Sequence, residues 1–286
     1  VRRAFLLGLL PMMLAASPPI LVHGHRGARA VRPENTLPAF SYALDLGVDV
    51  LELDMAVTKD DIVVVSHDPV INEQICSGPG PARPIRSLTY AELQQWDCGA
   101  RKNPAYPRQE PAPGTPMPTL DQVFALAKDR RVGPGRDRLV EFNIETKITE
   151  KEPHLAPDPK RFVELVLEVV RRHGLEDRVI LQSFDFRTLQ EMRKLEPRVR
   201  LSALLTNPLA SWTAVARETG ARIISPERRL VTEGRVRRAH AAGLQVVPWT
   251  ANEPGQWARL ADAGVDAIIT DDPAGLIEFL KAHGRR

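Results

Sequence analysis

The segment Leu21–Asp68, LVHGHRGARAVRPENTLPAFSYALDLGVDVLELDMAVTKDDIVVVSHD, decides the fold. It begins, with Ile20, as a short apolar strand that runs into Gly24-His25-Arg26-Gly27, where glycines let the backbone turn sharply. Pro33-Glu34-Asn35-Thr36 opens a helix that Asn35 or Thr36 can cap. Ala39, Phe40, Ala43, Leu44 and Leu46 give that helix its apolar stripe, and Gly47 closes it. Val48 to Val57 reads as a second strand with Glu52 and Asp54 interleaved among apolar residues. Only Thr58 to Asp61 separates it from the next apolar run, Ile62 to Ser66. A parallel crossover needs about a dozen residues or more, so these two strands form an antiparallel hairpin. A turn near Asp60 then sets Asp54 beside Ser66 and carries His67 back toward the carboxylates.

Beyond the hairpin, residues 71–120 contain nine prolines and four glycines, with one short helical pattern from Tyr90 to Trp96. This is an insertion in the main fold, too long for an ordinary loop and suited to a cover or small subdomain. From Leu120 onward strand and helix alternate. Strands are expected near 139–146, 178–183, 199–205, 221–225, 244–250 and 267–270, with helices between them and a last helix to about His283. Setting aside the antiparallel partner of the hairpin, eight strands remain. That number favours an α/β fold closed as a (β/α)8 TIM barrel, with its Pro-rich insertion after the third strand. An open doubly wound sheet is disfavoured because no Gly-rich dinucleotide loop follows the first strand.

The composition is that of a globular protein, 43% hydrophobic and 26% charged over 286 residues. Net charge is +3, and the arginine clusters alternate with apolar residues as solvated helix faces do, so no nucleic-acid partner is expected. Val1-Arg2-Arg3, the apolar run Ala4–Ala16 and the small residues ending at Ser17 have the layout of a secretory signal peptide, 1–17. That run is too short for a stable membrane span. Residues 18–286 then form one domain of an exported, periplasmic protein. Cys76 and Cys98 lie in the insertion, and in an oxidising compartment they are expected to pair.

The chemistry gathers at strand ends. Spacing of two puts Glu52 and Asp54 on one strand face, and likewise Glu145 and Lys147. Converging carboxylates repel unless protons or a cation relieve them, and oxygen-only ligands suit one divalent cation, Ca²⁺ or Mg²⁺. Arg26 and Lys147 supply fixed positive charge for phosphate oxygens. His25 and His67, each ending a strand, are placed for proton transfer near neutral pH. His23 shares a strand face with His25 and reads as part of the barrel floor, Asp68 as a partner that orients His67, and Asp271 as the cap of the last helix.

These residues resemble the glycerophosphodiester phosphodiesterase family. The resemblance rests on HRG-x5-PENT at His25–Thr36, E-x-D at Glu52 and Asp54, TKD at Thr58–Asp60 and HD at His67. It continues with E-x-K at Glu145 and Lys147, Ser183-Phe184, Trp249-Thr250-Ala251-Asn252 and Thr270-Asp271-Asp272-Pro273. Asp61 departs from the usual glycine of the hairpin turn and Ala251 from the usual valine. The resemblance implies a (β/α)8 hydrolase that splits small glycerophosphodiesters into sn-glycerol 3-phosphate and an alcohol with a divalent metal. It implies Glu52, Asp54 and Glu145 as metal ligands with Glu34 as a further or outer ligand, and His25 and His67 as the acid–base pair. Arg26 and Lys147 become phosphate contacts, Trp249 an apolar wall beside the substrate. The implied mechanism is intramolecular attack by the glycerol 2-hydroxyl through a cyclic phosphate. Two other readings fit parts of the pattern: a phospholipase D- or C-like enzyme acting on lysophospholipids, and an exported phosphodiester-binding protein without catalysis, for which two histidines have no use.

Overall fold

The computed structural model describes residues 18–286; the segment read as a signal peptide lies outside the described residues. The chain runs β1 (Leu21–Gly24), α1 (Leu37–Leu46), β2 (Val50–Val57) and β3 (Val63–Val65). The insertion follows with α2 (Tyr90–Leu93), then α3 (Leu120–Ala127), a small hairpin of β4 (Arg131–Val132) and β5 (Arg138–Leu139), and β6 (Glu141–Thr146). Five more units complete it: α4 (Pro159–His173), β7 (Val179–Ser183), α5 (Phe186–Leu195), β8 (Arg200–Leu205), α6 (Trp212–Thr219), β9 (Ile223–Pro226), α7 (Glu233–Ala241), β10 (Gln245–Val246), α8 (Pro254–Asp262), β11 (Ala267–Thr270) and α9 (Pro273–Ala282).

Eight strands are parallel, in the order β10-β9-β8-β7-β6-β2-β1-β11. The seam between β10 and β11 is bridged by backbone hydrogen bonds from Asp266 N to Val246 O, Ile269 N to Pro248 O and Ala251 N to Ile269 O. This is the (β/α)8 barrel that the alternation implied. The strand expected over 244–250 shrinks to two residues because Pro248 has no N–H to give a ladder. The β4–β5 hairpin, absent from the sequence reading, splits off what had looked like the start of β6.

The two-residue period of a strand does most of the positioning. Val22, Leu51, Leu53, Phe142, Ile144 and Leu181 face outward and join the main core between sheet and helices. Their neighbours therefore face the barrel axis. There Ile180, Ile223, Val247, Ala267 and Ile269 form a second apolar cluster. The same alternation turns His23, Glu52, Asp54, Asn143, Glu145 and Gln182 inward, all of them buried. Apolar residues on the opposite face anchor this polar row, since each fully buried aliphatic or aromatic side chain contributes about 1.5–3 kcal/mol.

β3 pairs antiparallel with β2, Met55 opposite Val65 and Val57 opposite Val63, and Ser66 N donates to Asp54 O at 3.0 Å. The register is the one the short connection required. Asp61 takes the turn at φ +61° and spends its carboxylate on Arg86 and Arg161. The insertion packs Ile71, Ile85, Leu88, Leu93, Trp96 and Met117 against Ala56 and Val64 of the β2–β3 hairpin, with Cys76 and Cys98 joined in a disulfide. Its far limb folds back over the barrel mouth, where Gln109 Nε2 donates to the carbonyls of Arg29 and Arg32 at 2.9 and 3.0 Å. Among the described residues no helix is long and apolar enough to cross a membrane.

Candidate active site

At the C-terminal ends of the strands lies a cavity of about 170 Å³ whose walls include His25, Arg26, Glu52, His67, Glu145 and Lys147. The turn after β1 sets the first two. A Cβ on Gly24 would lie 2.4 Å from Gly27 O, and Gly27, at φ +86°, packs against the Ala39 backbone, so neither position has room for a side chain. Arg26 itself is held at φ +51° and Asn35 at +57°, conformations that cost non-glycine residues free energy and persist only where the surroundings enforce them. Here the enforcing contacts are visible. Arg26 N donates to Glu52 Oε2 at 2.9 Å, Arg26 O accepts from Asn35 N at 3.1 Å, and Asn35 Nδ2 donates to Asp54 Oδ2 at 2.9 Å.

Glu52, Asp54 and Glu145 come together with one carboxylate oxygen each inside a 4.8 Å span, and all three are buried. Burial and the neighbouring Asp54 push the Glu52 carboxyl well above its ordinary value. Burial raises Glu145 too, against the pull of Lys147. For Asp54 burial is outweighed by Lys147 and Arg26, which hold it well below the usual carboxylate range. Lys147 Nζ lies 2.8 Å from Glu145 and 3.3 Å from Asp54, and Arg26 Nε 3.2 Å from Asp54. The crowding is therefore real, and part of it is relieved by the two cations the sequence had marked for phosphate. Three buried oxygen donors with no sulfur or imidazole among them fit a hard divalent cation.

Glu34 is not brought into this cluster. Its Oε1 pairs with Arg26 at 2.5 Å and its Oε2 approaches Arg29 at 3.8 Å and Asn103 Nδ2 at 3.4 Å. Arg26 pairs with both Glu34 and Asp54, which ties Glu34 to the cluster through the guanidinium.

His25 and His67 line the same cavity from different strands. His25 Nδ1 sits 2.5 Å from Asp271 Oδ1, which turns Nε2 inward, 3.9 Å from Glu52. Burial lowers the His25 pKa to about 4 despite Asp271, leaving the ring neutral at pH 7 and able to accept a proton. Asp271 does not cap the last helix. Asp272 does that, accepting from Gly275 N at 3.1 Å. Asp271 instead accepts from Arg29 at 2.9 and 3.2 Å, Asn252 at 2.7 Å and Tyr106 at 3.3 Å. Although burial disfavours its charge, His25 and Arg29 keep it ionised. His67 Nδ1 is 2.7 Å from Asp68, whose other oxygen accepts from Asn72 at 2.8 Å. Trp249 stands in the wall with its Nε1 on Ser225 O at 2.8 Å and its ring edge-to-face with Phe184 at 5.4 Å.

Several site residues had no role in the sequence reading. Asn143 Nδ2 donates to Gln182 Oε1 at 2.9 Å, and Gln182 Nε2 to Glu52 Oε1 at 2.7 Å, so a polar relay under the floor orients the carboxylate. Asn143 was findable, two residues before Glu145 on the same strand face. Gln182 became visible only once β7 registered it beside Glu145. Arg29 and Tyr106 stack at 4.8 Å, joining the insertion to the site through a contact between distant parts of the chain.

The model of the Glycerophosphoryl diester phosphodiesterase family matches residues 25–275. A glycerophosphodiester phosphodiesterase of Caldanaerobacter subterraneus is 31% identical over 264 residues, 92% of this chain and 99% of that protein. One of Bacillus subtilis is 30% identical, covering 89% and 84%. A solved structure from Silicibacter pomeroyi, assigned to the same diesterases, superposes with a TM-score of 0.86 at 30% identity, over 94% of this chain and 95% of that one. A phosphodiesterase of Oleispira antarctica in complex with the product sn-glycerol-3-phosphate shares the fold, with a TM-score of 0.77 at 22% identity, over 92% of this chain and 97% of that one.

Proposed function

Since the chain belongs to the glycerophosphoryl diester phosphodiesterase family, a family of hydrolases, we propose that it hydrolyses glycerophosphodiesters to sn-glycerol 3-phosphate and an alcohol, with His25 and His67 as the proton-transfer pair. The observation that carries this reading is the convergence of both imidazoles on the cavity lined by Glu52 and Glu145, which cluster with the buried Asp54. Those three residues would hold one divalent cation, Ca²⁺ or Mg²⁺. When bound, it supplies Lewis-acid polarisation of the phosphoryl oxygens and lowers the pKa of a hydroxyl beside them.

The protein's own groups divide the remaining work. His25, fixed by Asp271, takes the proton from the glycerol 2-hydroxyl as its oxygen attacks phosphorus. The phosphorus–oxygen bond to the alcohol breaks, and His67 gives the leaving oxygen its proton. His67 then draws a proton from water, whose oxygen opens the resulting cyclic glycerol phosphate, and His25 returns its proton to the 2-oxygen. Arg26 and Lys147 steady the equatorial oxygens from the rim, and Trp249 bounds the substrate on its apolar side. The assignment of His67 to the alcohol is supported by its place at the junction between this cavity and a second cleft that His25 does not line. The disulfide and the leader-like residues 1–17 support an exported, periplasmic protein.

The test is release of glycerol 3-phosphate from a panel of glycerophosphodiesters, with chelator and with added Ca²⁺ or Mg²⁺. Metal-dependent release supports the reading. No release from any member under either metal overturns it.

A further inference from the structure

Beside the catalytic cavity opens a second cleft of about 260 Å³, and the two share His67, Glu145, Lys147 and Phe184. We propose that this cleft receives the alcohol arm of the substrate and selects arms carrying an apolar segment, such as alkyl or aryl alcohols, over polyols and anionic arms. The inference rests on the hydrolysis proposed above and specifies its substrate class.

Three observations carry it. The cleft has an apolar wall among its polar residues: Pro69 follows the His67-Asp68 turn, Ile148, Leu155 and Ala156 come from the loop after β6, and Phe184 from the end of β7. Phe184 is 45% exposed, braced edge-on by Trp249, so a large ring stands against solvent at the point where the two cavities meet. An arm that covers it removes apolar surface from water. Second, the charges facing the cleft repel anions. Asp68 and Glu152 are acidic, and the cleft's two cationic groups, Lys147 and protonated His67, both stand at the junction with the catalytic cavity, where they serve the phosphoryl group. Third, the other cavity adds polar groups absent from this cleft, Arg29 and Thr250 among them, beside which a glycerol can sit. A phosphodiester with its phosphorus beside His25 and His67 thus has a polar side for its glycerol and an apolar side for its second arm. His67 borders that second side, where the leaving oxygen would need its proton.

The experiment is a homologous series of glycerophospho-n-alkanols, from ethanol to octanol, with glycerophosphoglycerol as the polyol control, each followed by glycerol 3-phosphate release. A buried methylene is worth about 0.8 kcal/mol, roughly fourfold. Partial burial in an open cleft gives an expected two- to fourfold rise in kcat/KM per methylene, levelling off where the chain leaves the cleft. The glycerol ester is expected below the hexanol ester. Ala156→Phe, which fills the cleft, and Leu155→Ala, which widens it, are expected to flatten the rise. Both should leave the ethanol ester within about threefold of the parent. A flat or falling series with good turnover of the ethanol ester overturns the cleft assignment and leaves the hydrolysis intact. Steep dependence that survives both substitutions also overturns it. If no diester in the series is hydrolysed, the hydrolysis reading fails and takes the cleft assignment with it.

Discussion

Asp271→Asn separates the charge behind His25 from its shape. The substitution keeps the side-chain outline but removes the negative charge and one acceptor oxygen. Asp271 makes a 2.5 Å contact with His25 Nδ1 and also accepts from Arg29, Asn252 and Tyr106. A hydrogen bond to a charged group is worth about 1.5–3 kcal/mol, which alone corresponds to roughly 10- to 150-fold in rate. If the new amide presents its NH2 to Nδ1, the ring proton moves to Nε2, the atom that faces Glu52 and should act as base. Wrong-tautomer losses of this kind reach about 10⁴ in a comparable acid–base pair. The expected outcome is a fall in kcat of about 10²- to 10⁴-fold, with KM changed far less. Cation affinity should persist, because Asp271 belongs to no part of the carboxylate cluster. Steady-state release of glycerol 3-phosphate reads the first, calorimetric titration of Ca²⁺ or Mg²⁺ the second. A variant that folds, binds cation and turns over within threefold of the parent would refute the argument that Asp271 sets the His25 tautomer.

Other outcomes follow from the same geometry. His23 is buried and its pKa is lowered to about 3, first by desolvation and then by Arg200. The unfolded chain therefore takes up that proton first; the stability is complete above pH 6.5 and is lost as pH falls toward 3, by about 2 kcal/mol at pH 5. Urea unfolding at pH 7 and pH 5 should show a loss smaller by that amount in His23→Gln; equal losses in both proteins would count against a neutral buried imidazole. Glu52→Gln is expected to weaken divalent-cation binding at least tenfold, since it removes one of three converging charges; unchanged affinity by calorimetry would remove Glu52 from the donor set. Replacing Cys76 and Cys98 by serine frees a loop closed across 22 positions. By chain entropy this costs about 3 kcal/mol in the insertion, read as earlier loss of amide-exchange protection over 71–120, and unaltered protection would contradict it.

Much of this molecule was legible before any coordinates. The four-residue connection at Thr58–Asp61 forced a hairpin, and the observed pairing of Met55 with Val65 has the register that connection demanded. The strand–helix alternation after Leu120 was legible too, because its signals are local. The spacing of Glu52 with Asp54 put both on one strand face for the same reason. What local signals could not supply was the non-local pairing. Glu34 was read as a further or outer ligand from its place in a motif, and the structure pairs its carboxylate with Arg26. Asp271 looked like a cap, yet its neighbour Asp272 caps the helix and Asp271 meets His25 across 246 positions of chain.

The sequence by itself therefore determined which faces point inward, since strand and helix periods are properties of neighbouring residues. Only the tertiary structure decided which of the inward charges pair with one another. Closing the barrel brings β1, β2, β6, β7 and β11 to one mouth, and at distances of 2.5–4 Å the partner of each charge is set by register and by the loops that fold over it. Those quantities depend on packing across the whole chain, and no short stretch of residues contains them.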